Sequence, residues 1–463
     1  MSLFNSEMLA NILGKANSGA VNEAINVSID SRLVSRGSLF VALKGEHNDG
    51  SAFLEEAFKN GATMAITSYD SGLAGRQKEL AGRYSAALFL VDNPLYALQQ
   101  LAGYHIKRFP KLIKIGITGS NGKTTVKEML AGILRRAAPT AATIGNLNSD
   151  CGLPLSCFAI NSEHKYAVLE MGMNRKDEMS ELAGIVKPNY AIITNIGNAH
   201  IGMLGSREAI AHEKKAIASH FNGSQTLFLP QHDSFAAFLA QNIAGRVIFY
   251  APTLLKKFER VEDLGLDGYK LYVGGETIRI HFAGKHNLHN ACLAIYVALE
   301  LGLKLKDIKE GLEKVRPLDG RSQVSAGRIT LLKDYYNASP ESMKAAIGSI
   351  TALKYARKLV FLAEMRELGD NSADLHKELA SSLLKAGIDE IYLLGPNMAY
   401  LAAELKELKF FGAIHHSTSF NSLKELLLTN LKDGDLLLLK GSRYYQLERL
   451  IEPLTQQGFL RAG

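Results

Sequence analysis

The sequence predicts an α/β protein of three successive units, the central one a mostly parallel sheet carrying a phosphate-binding turn. Three observations lead there. At 463 residues the chain exceeds one ordinary core, so roughly two to four domains are expected. From residue 93 onward, apolar strand-like runs alternate with helix-period segments, the pattern of parallel sheets covered by helices on both faces. The stretch Lys114-Ile-Gly-Ile-Thr-Gly-Ser-Asn-Gly-Lys-Thr-Thr125 reads as a strand, a glycine turn and a helix start.

Residues 1–92 hold short apolar runs at Asn26-Val-Ser-Ile29, Gly37-Ser-Leu-Phe-Val-Ala-Leu43, Met64-Ala-Ile-Thr67 and Ala87-Leu-Phe-Leu-Val91, with one helix expected near Phe53 to Asn60. Within this unit Asp30-Ser31-Arg32 directly follows a strand, and residues 44–50 form a polar loop. An arginine and short polar groups at strand ends can hold a nucleotide or diphosphate, and a capped turn beside a surface loop fits the same residues. Asn93-Pro94 starts a helix running to about Arg108 and leading into the glycine-turn strand, so the second unit spans 93–316. Strands at Lys165–Met171 and Tyr190–Ile196, and a helix at Ser180–Val186, continue it. After Pro317 the alternation restarts, giving a second doubly wound unit over 317–463 without a phosphate turn of its own.

Composition narrows the function classes. Hydrophobic residues make up 47% and charged residues 21%, the balance of a soluble globular chain. No apolar run spans a bilayer, and the first residues lack the layout of a signal peptide. Cys151, Cys157 and Cys292 are odd in number and form no close metal-binding pair, so a cytoplasmic location is expected. The net charge of +7 suits anionic small molecules, while the absence of a dense basic run argues against nucleic acid.

The chemistry concentrates around the glycine turn. Free N–H groups at a helix start, aided by the helix dipole, make an anion site of Gly119, Ser120, Asn121 and Gly122. Lys123 adds a charge for a terminal phosphate, and Thr124 a hydroxyl for magnesium, with Thr125 beside it. The pattern is a variant phosphate loop, because Ile117 stands where its first glycine belongs. Glu170 ends a buried strand and can bind magnesium opposite Lys123; a strand-end acid facing water is the plain alternative. His200 lies in a long polar loop and can bind metal through a neutral ring nitrogen, while a lone loop histidine is more often a plain hydrogen-bonding group. Lys214 falls on the apolar stripe of Ile210, Ile217 and Phe221, where a lysine must snorkel, pair or be chemically altered, whereas Lys215 reads as solvent-facing. Asn287 and Asn290 share one face at the start of a helix running through Leu301 and can read an adenine edge; N-capping explains one of them but not both.

Taken together these stretches resemble the Mur ligases, ATP-dependent amide-bond-forming enzymes of peptidoglycan synthesis. The resemblance rests on Thr118–Thr125, Glu170-Met-Gly-Met-Asn174, Thr194-Asn-Ile196 with His200, and Gly284-Lys-His-Asn-Leu-His-Asn290. Gly320-Arg321, Asp334-Tyr-Tyr-Asn-Ala-Ser-Pro340 and Leu439-Lys-Gly-Ser-Arg443 complete it, in family order along almost the whole chain. Gly145-Asn-Leu-Asn-Ser-Asp-Cys-Gly-Leu-Pro-Leu155 and Glu364-Met-Arg-Glu-Leu-Gly369 look like the branch that adds D-alanyl-D-alanine to UDP-N-acetylmuramoyl-tripeptide, and the Asp-Asn-Pro-Arg motif of the diaminopimelate-adding branch is absent.

The resemblance implies a UDP-binding N-terminal domain, a central ATPase domain and a Rossmann-like C-terminal domain. It implies ATP and Mg2+ as cofactors, and an acyl-phosphate intermediate. Lys123 would neutralise the transferring phosphoryl group; Thr124, Glu170 and His200 would serve magnesium; Lys214 falls where the family carries a carbamylated lysine. Asn287, Asn290, Arg321 and Asp334 would meet ATP, and Asp30, Ser31 and Arg32 the UDP moiety. Asn146, Asn148, Asn337 and Ser339 would face the peptide substrates. Small molecules are the expected partners, and the chain is expected to be a monomer. Departures from the family pattern are Ser149-Asp150 for a second Asn and its neighbour, Ala216 for a Glu, Glu364 for an Asp, and Lys333-Asp-Tyr for Asp-Asp-Ser. Folylpolyglutamate synthase shares a related ATPase core but has no such N-terminal unit, so residues 1–92 speak against it.

Overall fold

The computed structural model describes residues 2–15, 17–45, 48–70 and 73–461. Its first large sheet has four parallel strands in sequence order, Asn26–Ser28, Ser38–Val41, Ala62–Ser68 and Ala87–Val91. Ser38–Val41 is buried at every position, as befits a strand covered on both faces. Of the polar loop at 44–50, residues 46 and 47 lie outside the described residues. The expected helix is Leu54–Lys59, but two more accompany it. Ser6–Leu13 is capped by the Asn5 side chain and stopped by Gly14 at φ +60°. Ala74–Arg83 buries only Ala74, Gln77 and Ala81, a face too small and polar to register as an apolar stripe.

Helix Pro94–Lys107 joins this unit to the next. Asn93 caps it by accepting from the Tyr96 N–H at 3.1 Å, and Pro94 takes the first helical position, where its missing N–H costs nothing. Its buried residues Leu98, Leu101, Ala102 and Ile106 belong to one continuous core. That core holds Leu39, Ile66 and Phe89 of the first sheet and Leu153, Met179 and Leu182 of the central unit.

The central sheet has six parallel strands in the order Arg246–Tyr250, Thr226–Pro230, Tyr190–Ile193, Ile113–Thr118, Tyr166–Glu170, Thr140–Ala142. Strand order reverses around Ile113–Thr118, so a crevice opens at its carboxyl end. Helix Lys123–Ala137 follows and buries Val126, Met129, Leu130, Ile133 and Leu134, each contributing about 1.5–3 kcal/mol. It packs closely on helix Leu305–Leu312 through Gly311, where a Cβ would lie 2.5 Å from the Ile133 Cα.

An element absent from the sequence reading is an antiparallel meander, Phe258–Asp263, Tyr269–Val273 and Glu276–Ile280. Its second hairpin turns through Gly274 and Gly275, at φ +58° and +79°, the two left-handed residues that a tight hairpin needs. The last sheet runs Gln323–Ala326, Thr330–Lys333, Leu436–Lys440, Lys358–Ala363, Glu390–Leu394, Ala413–Ser417, with the first pair antiparallel and the rest parallel. Loops from Thr330–Lys333, Lys358–Ala363 and Leu436–Lys440 point toward the central crevice.

Candidate active site

The glycine turn is held by the loop that follows Tyr190–Ile193. Ser120 N–H donates to the Asn195 carbonyl at 3.0 Å, Asn121 N–H to Asn195 Oδ1 at 3.0 Å, and Thr194 Oγ1 to the Asn121 carbonyl at 2.5 Å. Gly119 and Gly122 adopt φ +145° and +81°. A side chain at Gly119 would collide with the Thr194 hydroxyl, and a Cβ at Gly122 would lie 2.7 Å from Asn290 Oδ1. Helix Lys123–Ala137 starts with no side-chain cap, leaving its first N–H groups for an anion.

Turn and helix start face a cleft of about 480 Å³ between the central and C-terminal sheets. Ser120, Asn121, Gly122, Lys123, Thr124, Thr125, Asn146, Asn148, Glu170, His200, Asn287, Asn290, Arg321, Asp334, Asn337 and Ser339 all line it. Gly119, Lys214, Asp30, Ser31 and Arg32 do not.

On the central side, charges are left partly free. Lys123 Nζ donates to the Gly119 carbonyl at 2.8 Å; enclosure pushes its pKa down, against the pull of the Glu170 carboxylate. Glu170 is 2% exposed. Its Oε1 accepts from Asn148 Nδ2 at 2.7 Å, while its Oε2 is buried with no hydrogen-bond partner. His200 sits at φ +68°, strained for a non-glycine residue. Its Nδ1 lies 2.8 Å from Glu367 Oε2, a contact across the cleft that holds the Glu367 carboxyl below its ordinary range. Among the described residues no group of three or more His, Cys, Asp or Glu side chains forms a metal cage.

On the C-terminal side, Asp334 and Lys440 form a pair. Asp334 Oδ2 accepts from Lys440 Nζ at 2.7 Å, and Asp334 Oδ1 from the Ser322 N–H at 3.0 Å. Lys440 is 3% exposed and also donates to the Asn337 carbonyl at 3.1 Å. The Arg321 guanidinium lies 3.7 Å from the Tyr336 ring centroid, a stacking distance. Asn337 Oδ1 accepts from the Ala338 N–H. Ser339 caps helix Pro340–Thr351 in a reciprocal capping box, and its hydroxyl donates to Asn121 Oδ1 at 2.9 Å. That bond joins the two sides of the cleft.

Asn287 and Asn290 bind each other. Asn290 Nδ2 donates to Asn287 Oδ1 at 3.2 Å, and Asn287 Nδ2 to the Ala283 carbonyl at 2.8 Å, so neither acts as the helix cap; Gly284 does. Lys214 is 1% exposed and has no hydrogen-bond or ion-pair partner among the described residues. Burial drives its pKa well below the lysine range, and nearby Lys123 adds to this. Its helix is shorter than the stripe suggested: Arg207–Lys215 gives way to a 3-10 turn before Phe221. Lys215 is not simply solvent-facing, because its Nζ donates to the Phe238 carbonyl at 2.8 Å and lies over that ring.

Away from the cleft, Asp30 accepts two bonds from the Arg32 guanidinium, at 2.9 and 2.7 Å, and these hold its carboxyl at a pKa of about 2. Ser31 Oγ donates to Glu56 Oε2 at 2.6 Å.

Several residues at the site were not singled out from sequence. Lys440 lay within a recognised motif, but its partner Asp334 is far along the chain. Glu341 accepts from Asn198 N–H at 3.0 Å and Nδ2 at 2.7 Å, docking the C-terminal helix onto the His200 loop. Glu213 accepts from the Asp177 and Met179 N–H groups, capping helix Glu178–Val186 from a neighbouring helix. No local sequence signal marks Glu341 or Glu213; only the tertiary meeting does.

Three family models cover most of the chain: the Mur ligase family catalytic domain over residues 24–114, the Mur ligase middle domain over 117–298, and the Mur ligase glutamate ligase domain over 320–443. The chain is 40% identical over 431 residues to the UDP-N-acetylmuramoyl-tripeptide–D-alanyl-D-alanine ligase of Treponema pallidum, covering 93% of this chain and 94% of that one. It is similar to a crystal structure of MurF from Acinetobacter baumannii, with a TM-score of 0.85 and 30% identity over 98% of this chain and 100% of that one. It also resembles MurF ligase from Thermotoga maritima in complex with ADP, with a TM-score of 0.80 and 26% identity over 94% and 98% of the two chains. The chain belongs to the Mur ligase family, in its branch of UDP-N-acetylmuramoyl-tripeptide–D-alanyl-D-alanine ligases.

Proposed function

We propose that this chain is the ATP-dependent ligase that joins D-alanyl-D-alanine to UDP-N-acetylmuramoyl-tripeptide, giving the pentapeptide precursor of peptidoglycan. The observation that carries the reading is one cleft uniting a phosphate loop, a buried carboxylate oxygen without a partner and a basic, stacked wall from the C-terminal sheet. A carboxylate is a poor electrophile. Transfer of the γ-phosphoryl group of ATP to the tripeptide's terminal carboxylate makes an acyl phosphate. The dipeptide amine then attacks that carbonyl, and the tetrahedral intermediate collapses to amide and inorganic phosphate. Positioning and charge neutralisation supply most of the acceleration.

In this reading the uncapped N–H groups that open helix Lys123–Ala137 and the Lys123 ammonium hold the transferring phosphoryl group. Asn287 and Asn290 meet the adenine, with Arg321, Asp334 and Lys440 closing from the other wall. The free Glu170 oxygen, the Thr124 hydroxyl and the His200 ring fit a magnesium ion completed by phosphate oxygens and water, the coordination this hard cation favours. Bound there, magnesium supplies neutralisation of the nucleotide phosphates. Lys214, buried and unpaired, suits carbamylation, which would replace an uncompensated cation with an anion supporting the metal. Asn146 and Asn148 lie on the tripeptide side and Asn337 toward the dipeptide. Ser339 supports that side through its bond to Asn121. Asp30, Ser31 and Arg32 would re-pair with the UDP diphosphate and uridine. In this reading the enzyme is a cytoplasmic monomer; no helix among the described residues is long and apolar enough to cross a membrane.

The test is phosphate release from ATP and magnesium with each substrate added or omitted. Release only with both tripeptide and dipeptide, and a pentapeptide product by mass, is expected. Release that ignores D-alanyl-D-alanine but answers to another amine would discard the substrate assignment.

A further inference from the structure

A second cavity of about 670 Å³ lies at the opposite end of the phosphate-loop strand, between helices Ser6–Leu13, Pro94–Lys107 and Glu178–Val186. Lys107, Lys114 and Lys187 line it, and among the described residues no carboxylate does. None of the three amines has a hydrogen-bond or ion-pair partner among the described residues. Lys114 is half-buried, so its charge carries a desolvation cost that no hydrogen bond or ion pair among the described residues offsets.

The backbone holds two of these lysines together. Lys114 N–H donates to Asn189 Oδ1 at 2.9 Å, and the Asn189 N–H returns a bond to the Lys114 carbonyl at 2.8 Å. This fixes the strand start beside the helix end that carries Lys187. Lys187 occupies that helix end at φ +47°, a left-handed position where glycine is the ordinary choice. Tyr96 and Tyr104, 59% and 39% exposed, stand at the mouth and offer hydroxyls and ring faces. Asn11 and Gln100 add neutral donors.

We propose that this cavity is a binding site for a phosphate-bearing anion, separate from the ATP cleft. Three amines lining one cavity, with no acid among its described lining residues, suit a phosphate-bearing anion, and the cavity is large enough for a nucleotide-sized molecule. Lys114 lies ~13 Å from the phosphate-loop end of its strand, so one ligand phosphate cannot serve both places.

The experiment is lysine acetylation footprinting of the full chain by mass spectrometry, with ADP present to fill the cleft. Inorganic pyrophosphate is titrated against chloride at matched ionic strength, with phosphatidylglycerol–phosphatidylcholine vesicles as a parallel arm. Saturable protection of Lys114 and Lys187 by pyrophosphate is expected, weakened about tenfold in Lys187→Gln, read at Lys114. Protection by vesicles alone would assign the phosphate to a lipid headgroup and keep the site. Equal protection in chloride, no protection by either probe, or unchanged affinity in Lys187→Gln would overturn it. If Lys187→Gln does not fold, the footprint on the unaltered chain decides.

Discussion

The two walls of the ATP cleft are built on opposite electrostatic plans. Among the described residues, the central wall leaves Glu170 Oε2 without a hydrogen-bond partner and has Lys214 buried behind it with no ion pair. The C-terminal wall pairs more of its charge, Asp334 with Lys440 and Arg321 on Tyr336, although Glu341 Oε2 there is buried without a hydrogen-bond partner among the described residues. A wall that keeps buried charge unsatisfied is less stable than it need be, and gains from whatever ligand completes it. A wall that pairs its charges is already rigid before ligand arrives. The first reads as the side where bonds change and the second as a preformed clamp.

The largest effects should separate the walls cleanly. Glu170→Gln should cut kcat/KM by about 100- to 1,000-fold, while its melting temperature holds or rises because a buried charge has been removed. A fall in both would place Glu170 in the structural class and break the contrast. Lys214→Ala should likewise lose ligase activity, by at least about 100-fold, with partial recovery on adding formate or acetate; full activity without rescue would remove Lys214 from the site.

Asp334→Asn should behave in the opposite way to Glu170→Gln. It strands the buried Lys440 ammonium, so chemical denaturation should show a loss of about 3 kcal/mol. Ser339→Ala removes a helix cap and the bond to Asn121, costing about 1 kcal/mol and raising KM for ATP more than it lowers kcat. The smallest effect concerns pH. The folded pKa of Lys214 lies below the ordinary 10.5, so between that lowered value and 10.5 the unfolded chain binds more protons and stability rises with pH. Lys214→Met, followed by denaturation across that window in buffer free of carbon dioxide, should flatten the rise.

What could be read from the sequence was what short-range chemistry encodes. The glycine turn, Lys123 and the strand-end Glu170 are local, and Lys214 betrayed itself as a charge on an apolar stripe. The Gly274-Gly275 hairpin went unread, although alternating runs flank it, because the alternation of strands and helices on either side masked it. Helix Ala74–Arg83 was hidden because alanine and glutamine make its buried face. Glu341, Glu213 and the Asp334–Lys440 pair act across long sequence separations, and no spacing rule announces such a meeting. The self-pairing of Asp30 with Arg32, and of Asn287 with Asn290, shows a further limit. Residue type and position name the group, while its free-state partner depends on geometry.

Helix Pro94–Lys107 carries a consequence for the length of any ligand reaching from the N-terminal sheet to the cleft. One of its faces is sunk in the first sheet and another in the central helices, so the separation between those units cannot change without breaking a shared core. With 14 residues, the helix is about 21 Å long. It makes the first sheet and the central helices one rigid frame, so any ligand touching both meets a fixed span.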